Sequence, residues 1–296
     1  MPLLSEEDLA SFGRDGYVVV EDAVPPENCE AVIDAIWAFL GQDPDDPESW
    51  YEPPAGMDDH FESQGAGMIE MYHSQAQWNN YQHPRVYQAV AEILEEERLW
   101  VHLDRVNMTP PAREDAEELD SSFVHWDLDP TDLSDPIPRP NGIQGVLYLD
   151  DTSERQGGFQ CVPDLYREIR DRGAAWFADH PEAAESRSPD VDDEDIVPVP
   201  GEQGDLLIWD KLLPHGNGHN HADEPRFAQY LNFYPADWSD VERREQRIET
   251  WRERKTPPGD PYPGDPRERE KEHDPADLTP LGRKLLGLDP WQEWLE

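Results

Sequence analysis

A succession of short segments, rich in β-branched and aromatic residues and each closed by proline, glycine or aspartate, sets the tightest limit on what this chain can build. They read "LWVHLDRVNM", "FVHWDLD", "GIQGVLYLDD", "GGFQCVP", "GDLLIWD" and "RFAQYLNFYPA". Runs this short, separated by turns, predict strands of an antiparallel sandwich or barrel. In the last of them Phe227, Gln229, Leu231 and Phe233 share one face, as a strand requires.

Helical signals flank this β region. Ser5 followed by Asp8 is a variant capping box, and "EEDLASFGRDG" is a helix closed by Gly16. "YVVVEDA" is a further strand. "PPENCEAVIDAIWAFLG" opens on proline, closes on Gly41, and spaces Val32, Ile33, Ile36, Trp37 and Leu40 as one helix face. Residues 42–67 read as a loop, "HPRVYQAVAEILEE" and "LYREIRDRGAAWFADH" as helices. From Asp240 the chain is rich in Arg, Glu and Pro, with a short helix near "LTPLGRKLLG". The class is therefore α+β, mainly β, with N- and C-terminal helices outside the strands. We expect one domain over 1–296, with a core at about 8–238 and a charged C-terminal extension at 239–296.

Charge narrows the partners. Asp and Glu total 67 against 24 Lys and Arg, for a net charge of −43. Only Lys211, Lys255, Lys271 and Lys284 carry an ammonium side chain. Self-repulsion on this scale destabilises a compact state in dilute salt and is screened in concentrated salt, so we expect a salt-adapted protein. Nucleic acid is an unsuitable partner, because its binding needs clustered basic residues. No apolar run approaches the length of a membrane span, and no secretory signal opens the chain. With two cysteines, Cys29 and Cys161, a disulfide framework is not expected and the cytoplasm is the expected compartment.

Chemistry concentrates in two places. In "SSFVHWDLDP", His125 and Asp127 stand two apart on an expected strand, so both point to one face while Trp126 points away. In "LLPHGNGHNHADEPRF", His215 directly follows a hydrophobic strand, and Arg226 opens the next. Two histidines and one carboxylate on one face of a metal leave coordination positions open, the arrangement of non-haem Fe(II) oxygenases. A guanidinium nearby suits a two-pronged pair with the far carboxylate of a 2-oxo acid.

In these motifs the chain resembles the phytanoyl-CoA dioxygenase family of Fe(II)/2-oxoglutarate oxygenases. The resemblance runs from about Asp8 to Pro235. It is carried by "DLASFGRDGYVVVEDAVPPENCEAV", "HWD", "YLDDTSERQGGFQCVPDLYRE" and "GDLLIWDKLLPHGNGHNHADEPRFAQYLNF". It implies a double-stranded β-helix (jelly-roll or cupin-like) core, with His125, Asp127 and His215 as iron ligands. Arg226 would bind 2-oxoglutarate, with Asn217, Gln144 and Asn107 near the cosubstrate. O2 and a small organic substrate would be the other reactants, and succinate and CO2 would be released. Because Asp127 retains the carboxylate that halogenating relatives lack, hydroxylation or a related oxidation is implied. The family's "VPGSH" segment reads "VPDLY" here, which puts the substrate side in question.

Two other readings stand beside this one. A non-catalytic metal- or ligand-binding protein on the same barrel could use His215, His219 and His221 for zinc. A structural protein could use its acidic face for a basic partner. The substrate is not encoded legibly. The loops at 42–67, 112–121 and 178–200 are candidate walls; of Trp50, Tyr51, Tyr72 and Trp78, most are expected to pack in the core rather than line the substrate site, and no basic patch supports a CoA thioester.

Overall fold

The structure is a computed structural model and describes residues 2–57, 67–116, 122–129, 137, 140–258 and 264–291. Parts of the loops at 42–67 and 112–121 lie outside these residues. The elements are, in chain order, α1 (Glu6–Asp15), β1 (Tyr17–Val20), α2 (Pro26–Leu40), β2 (Met68–Ile69), α3 (Gln75–Tyr81), α4 (Pro84–Leu94), β3 (Leu99–Thr109), β4 (Ile143–Tyr148) and β5 (Phe159–Cys161). Then come α5 (Pro163–Arg172), α6 (Ala174–Asp179), α7 (Pro181–Ser186), β6 (Val197–Pro198), β7 (Leu206–Trp209), β8 (His215–Asn217), β9 (Arg226–Pro235), α8 (Val241–Glu253) and α9 (Pro280–Leu286).

The strands form two sheets, ordered β1-β7-β4-β9-β3-β2 and β6-β5-β8, and every strand pairing among the described residues is antiparallel. Alternate side chains of the large sheet enter two different cores, as strand geometry demands. Ile143 and Leu147 of β4, Leu206 and Ile208 of β7, and Leu231 and Phe233 of β9 join a cluster built with α1 to α4 and α9. Val146, Tyr148, Leu207, Trp209 and Ala228 point the other way, into a cluster with Phe159, Cys161 and the aromatic residues of α5 and α6. Gln144, Trp209 and Arg226 of the large sheet lie on this second face.

A bulge in β3 determines which polar residues reach it. Register with β9 runs Leu103↔Leu231 and then Val106↔Gln229, so two residues of β3 oppose one of β9. The shift keeps both Leu103 and Val106 in the helix-side cluster. It thereby turns Asn107 and Thr109 to the inner face, opposite Ala228 and Arg226.

The N-terminal elements follow their caps. Ser5 and Asp8 exchange the reciprocal capping bonds, and Gly16 and Gly41 close α1 and α2 with φ of 84° and 71°. Several expectations need correction. "LYREIRDRGAAWFADH" is broken at Gly173, whose φ of 63° and ψ of −150° no helix contains, and Pro181 disfavours helical backbone at His180. "FVHWDLD" forms no ladder and bends at Asp127 and Leu128: His125 pairs with His215 in an isolated bridge, while the Trp126 N–H donates to the Arg187 carbonyl. Helix α3, capped by Ser74 and Gln77, was not anticipated, nor was α8, capped by Asp240.

Residues beyond 239 pack against the rest. Arg247 of α8 is buried and donates to the carbonyls of Val101, Leu285 and Leu286 and to the Tyr234 hydroxyl. Leu285 and Leu286 of α9 belong to the helix-side core, and Glu270 accepts the backbone N–H groups of Tyr72 and His73. Among the described residues no helix is long and apolar enough to cross a membrane.

Candidate metal centre

His125 and His215 reach one another through backbone before any side chain is considered. The His125 N–H donates to the His215 carbonyl at 2.9 Å, and the His215 N–H returns the bond at 3.0 Å. This approach depends on Gly216, since a Cβ there would lie 1.8 Å from the Phe123 carbonyl oxygen. The imidazoles stand 4.7 Å apart between centroids. Asp127 joins them, with Oδ1 3.3 Å from His125 Nε2 and Oδ2 3.4 Å from His215 Nε2. One donor atom from each of the three lies within 4.8 Å of the others, a spacing one metal ion can span.

The second layer orients these groups. His215 Nδ1 donates to the Leu213 carbonyl at 2.8 Å, which leaves Nε2 facing Asp127. Phe159 stacks on the His215 ring at 5.6 Å and Trp209 leans on it at 5.0 Å, so its position is fixed by packing. Gln144 donates from Nε2 to Asp127 Oδ2 at 2.7 Å. Trp126 turns away from the cluster into the core beside Trp176 and Phe177, its indole donating to the Leu212 carbonyl.

Electrostatics favour positive charge between the three groups. Asp127 keeps 38% of its side-chain surface open, yet the surrounding protein desolvates it enough to push its carboxyl upward. Hydrogen bonds from His125 and His215 outweigh that and hold it well below the usual carboxylate range. A cation held between the three groups satisfies this demand. The donor set of two imidazole nitrogens and one carboxylate oxygen fits a divalent transition metal with open positions.

Arg226 sits fully buried at the start of β9, on the inner face. Its Nη1 donates to Asn107 Oδ1 at 3.1 Å, while Nε and Nη2 are buried with no acceptor. Thr109 donates to the same Asn107 oxygen. A buried guanidinium with two unsatisfied donors costs free energy unless an anion supplies acceptors, so this pocket fits a carboxylate.

The structure thus brings His125, Asp127 and His215 together and places Gln144 on Asp127 and Asn107 on Arg226. Asn217, in β8, exchanges hydrogen bonds with the Tyr230 hydroxyl. His219 and His221 are exposed and belong to no group of metal-binding spacing among the described residues, so the zinc set of His215, His219 and His221 does not form. Trp50, Tyr72 and Trp78 are buried core residues. The supporting roles of Phe159, Trp209 and Tyr230 were not anticipated.

Comparison with known proteins identifies the family. The family model described as "Phytanoyl-CoA dioxygenase (PhyH)" matches residues 12–228. The chain belongs to the phytanoyl-CoA dioxygenase family. Membership makes it an Fe(II)/2-oxoglutarate-dependent oxygenase, with that metal and cosubstrate as its cofactors. A putative phytanoyl-CoA dioxygenase of Dictyostelium discoideum is 21% identical over 281 residues, covering 80% of this chain and 77% of that protein. A hypothetical protein of Escherichia coli shares the fold with a TM-score of 0.70 at 15% identity, over 97% of this chain and 82% of that one. The epimerase SnoN from nogalamycin biosynthesis, solved with Fe3+, alpha ketoglutarate and nogalamycin RO, aligns with a TM-score of 0.50 at 18% identity, over 78% and 83% of the two chains.

Proposed function

We propose that His125, Asp127 and His215 hold the iron and that Arg226 binds the distal carboxylate of 2-oxoglutarate, in an enzyme that hydroxylates a small organic molecule. The reading rests above all on Arg226. Its buried Nε and Nη2 lack acceptors on the same inner face that carries the His-Asp-His cluster. Iron(II) and 2-oxoglutarate, when bound, supply the O2-dependent oxidation, with the 2-oxo acid leaving as succinate and CO2.

The chain's own residues perform the positioning. The three residues would hold the metal through two imidazole nitrogens and one carboxylate oxygen, a donor set that would leave positions open for cosubstrate and O2. Gln144 steadies Asp127 through Oδ2, and Asn107 steadies Arg226 through Nη1. With Asp127 in place no position is vacated for a halide, so hydroxylation is the favoured outcome. Asn217 lies near the cosubstrate, its orientation set by Tyr230. The two sheets form a double-stranded β-helix within one domain. A cytoplasmic setting, without nucleic-acid or membrane partners, suits two buried free thiols and the absence of a crossing helix among the described residues.

The test is an anaerobic titration of Fe(II) and then 2-oxoglutarate, followed by the weak visible charge-transfer band. We expect a band in the wild type that is lost in His215→Ala and, at moderate 2-oxoglutarate, in Arg226→Met. A wild type with no band, or a band unchanged in His215→Ala, overturns the reading.

A further inference from the structure

Lys211 stands directly after β7, the strand whose Trp209 pairs with Gln144 of β4. Gln144 in turn holds Asp127. The lysine is half-buried, and among the described residues no hydrogen bond or ion pair engages its ammonium. The other three lysines all have partners: Lys255 pairs with Glu249, Lys271 with Glu268, and Lys284 lies over the Trp291 ring. Burial lowers the Lys211 pKa, and Asp127 heads the groups that pull it back up, which places the ammonium within electrostatic reach of the metal cluster.

Further unsatisfied or open groups lie beside the two histidines of the cluster. The Trp209 indole N–H is buried without an acceptor, beside the His215 ring. Phe123 keeps 54% of its surface exposed while its ring lies 4.8 Å from that of His125. A desolvated ammonium and an N–H without acceptors call for an anionic oxygen, and an exposed ring calls for an apolar body.

We propose that Lys211 selects the primary substrate by its carboxylate, so that this oxygenase acts on an amphipathic organic acid whose apolar part rests near Phe123. The inference deepens the function proposed above and rests on it. It also runs against the net charge, which repels anions at long range; the local cation acts once that field is screened.

The test uses the full-length protein with Fe(II) and saturating 2-oxoglutarate under argon, at constant high ionic strength. Hexanoate and benzoate are compared with hexanamide and benzamide by ligand-observed NMR. A charge-assisted hydrogen bond corresponds to about a 10- to 100-fold gain in affinity, so each acid should outbind its amide by that margin. Lys211→Met should abolish the gap, Lys211→Arg should keep most of it, and Arg226→Met should leave it intact. Lys211→Met should also retain the 2-oxoglutarate charge-transfer band. Equal binding of acid and amide, no binding of the acids, or a gap that persists in Lys211→Met overturns the proposal. A wild type without the band refutes instead the iron and 2-oxoglutarate assignment, and the acid-to-amide comparison still reads the lysine.

Discussion

Replacing Gly216 by alanine tests whether backbone contact builds the metal centre. The new Cβ would lie 1.8 Å from the Phe123 carbonyl oxygen, a backbone atom no rotamer change can move. Ordinary contact begins at about 3.4 Å, so the 123–125 segment must retreat by about 1.6 Å. The paired His125 and His215 backbone bonds cannot both survive that shift. At about 1 kcal/mol each, their loss costs roughly 2 kcal/mol of stability, which a protein with two intact cores tolerates. Metal binding does not tolerate it, because ligand distances must hold to about 0.2 Å. We expect Gly216→Ala to melt a few degrees lower, to keep its far-ultraviolet circular dichroism, and to lose at least about 100-fold in Fe(II) affinity by anaerobic calorimetry. Gly218→Ala is the control: its Cβ would lie closest to the flexible Gln160 Oε1, at 3.1 Å, and meets backbone only at an ordinary 3.7 Å from Gly157 Cα. A Gly216→Ala protein that binds Fe(II) as tightly as the wild type refutes the reasoning.

Further expectations cover the supporting residues and the charge. Gln144→Leu removes the hydrogen bond to Asp127 and should weaken Fe(II) binding by about 10-fold with little change in melting temperature. Arg226→Lys should raise the KM for 2-oxoglutarate by about 10- to 100-fold and leave metal affinity unchanged, since a point charge replaces a fork. Burial raises the Glu270 carboxyl to about 8, the two backbone N–H bonds only partly opposing it. Its folded pKa lies above the unfolded value, so its contribution to stability is present at acid pH and is lost as pH rises toward 8. Glu270→Gln should therefore gain stability over the wild type between pH 5 and 9 in a series of melts, and a constant difference would count against this assignment. The melting temperature should climb from dilute buffer to about 1 M KCl, where screening shortens to about 3 Å; equal melting in both would remove the case for salt adaptation.

Much of the N-terminal half was legible because local chemistry decided it. Caps, prolines and left-handed glycines mark α1 and α2 regardless of what packs on them. Helix α8 was not legible, because "VERREQRIETWRE" has almost no apolar face; it is held by a buried arginine bonded to carbonyls far away in sequence. The β3 bulge leaves no mark on the alternation pattern, yet it decides that Asn107 faces Arg226. At the site, residue type and spacing pointed to His125, Asp127, His215 and Arg226. The groups that tune them arrive by strand register: Gln144 and Trp209 are neighbours across β4 and β7, separated by 65 positions of chain.

The burial of Arg247 bears on the order in which this protein can mature. During synthesis, β9 emerges before α8 and α9, so Arg226 is available well before the residues that cover the far end of its strand. Until Leu285 and Leu286 offer their carbonyls, Arg247 lacks two of its acceptors, and β3 and β9 lack their outer cover. A nascent chain paused after residue 238 would thus hold every candidate iron ligand while the sheet carrying Asn107 and Arg226 remained incompletely packed. The helix-side packing of that sheet is thus completed by residues synthesised long after its own strands.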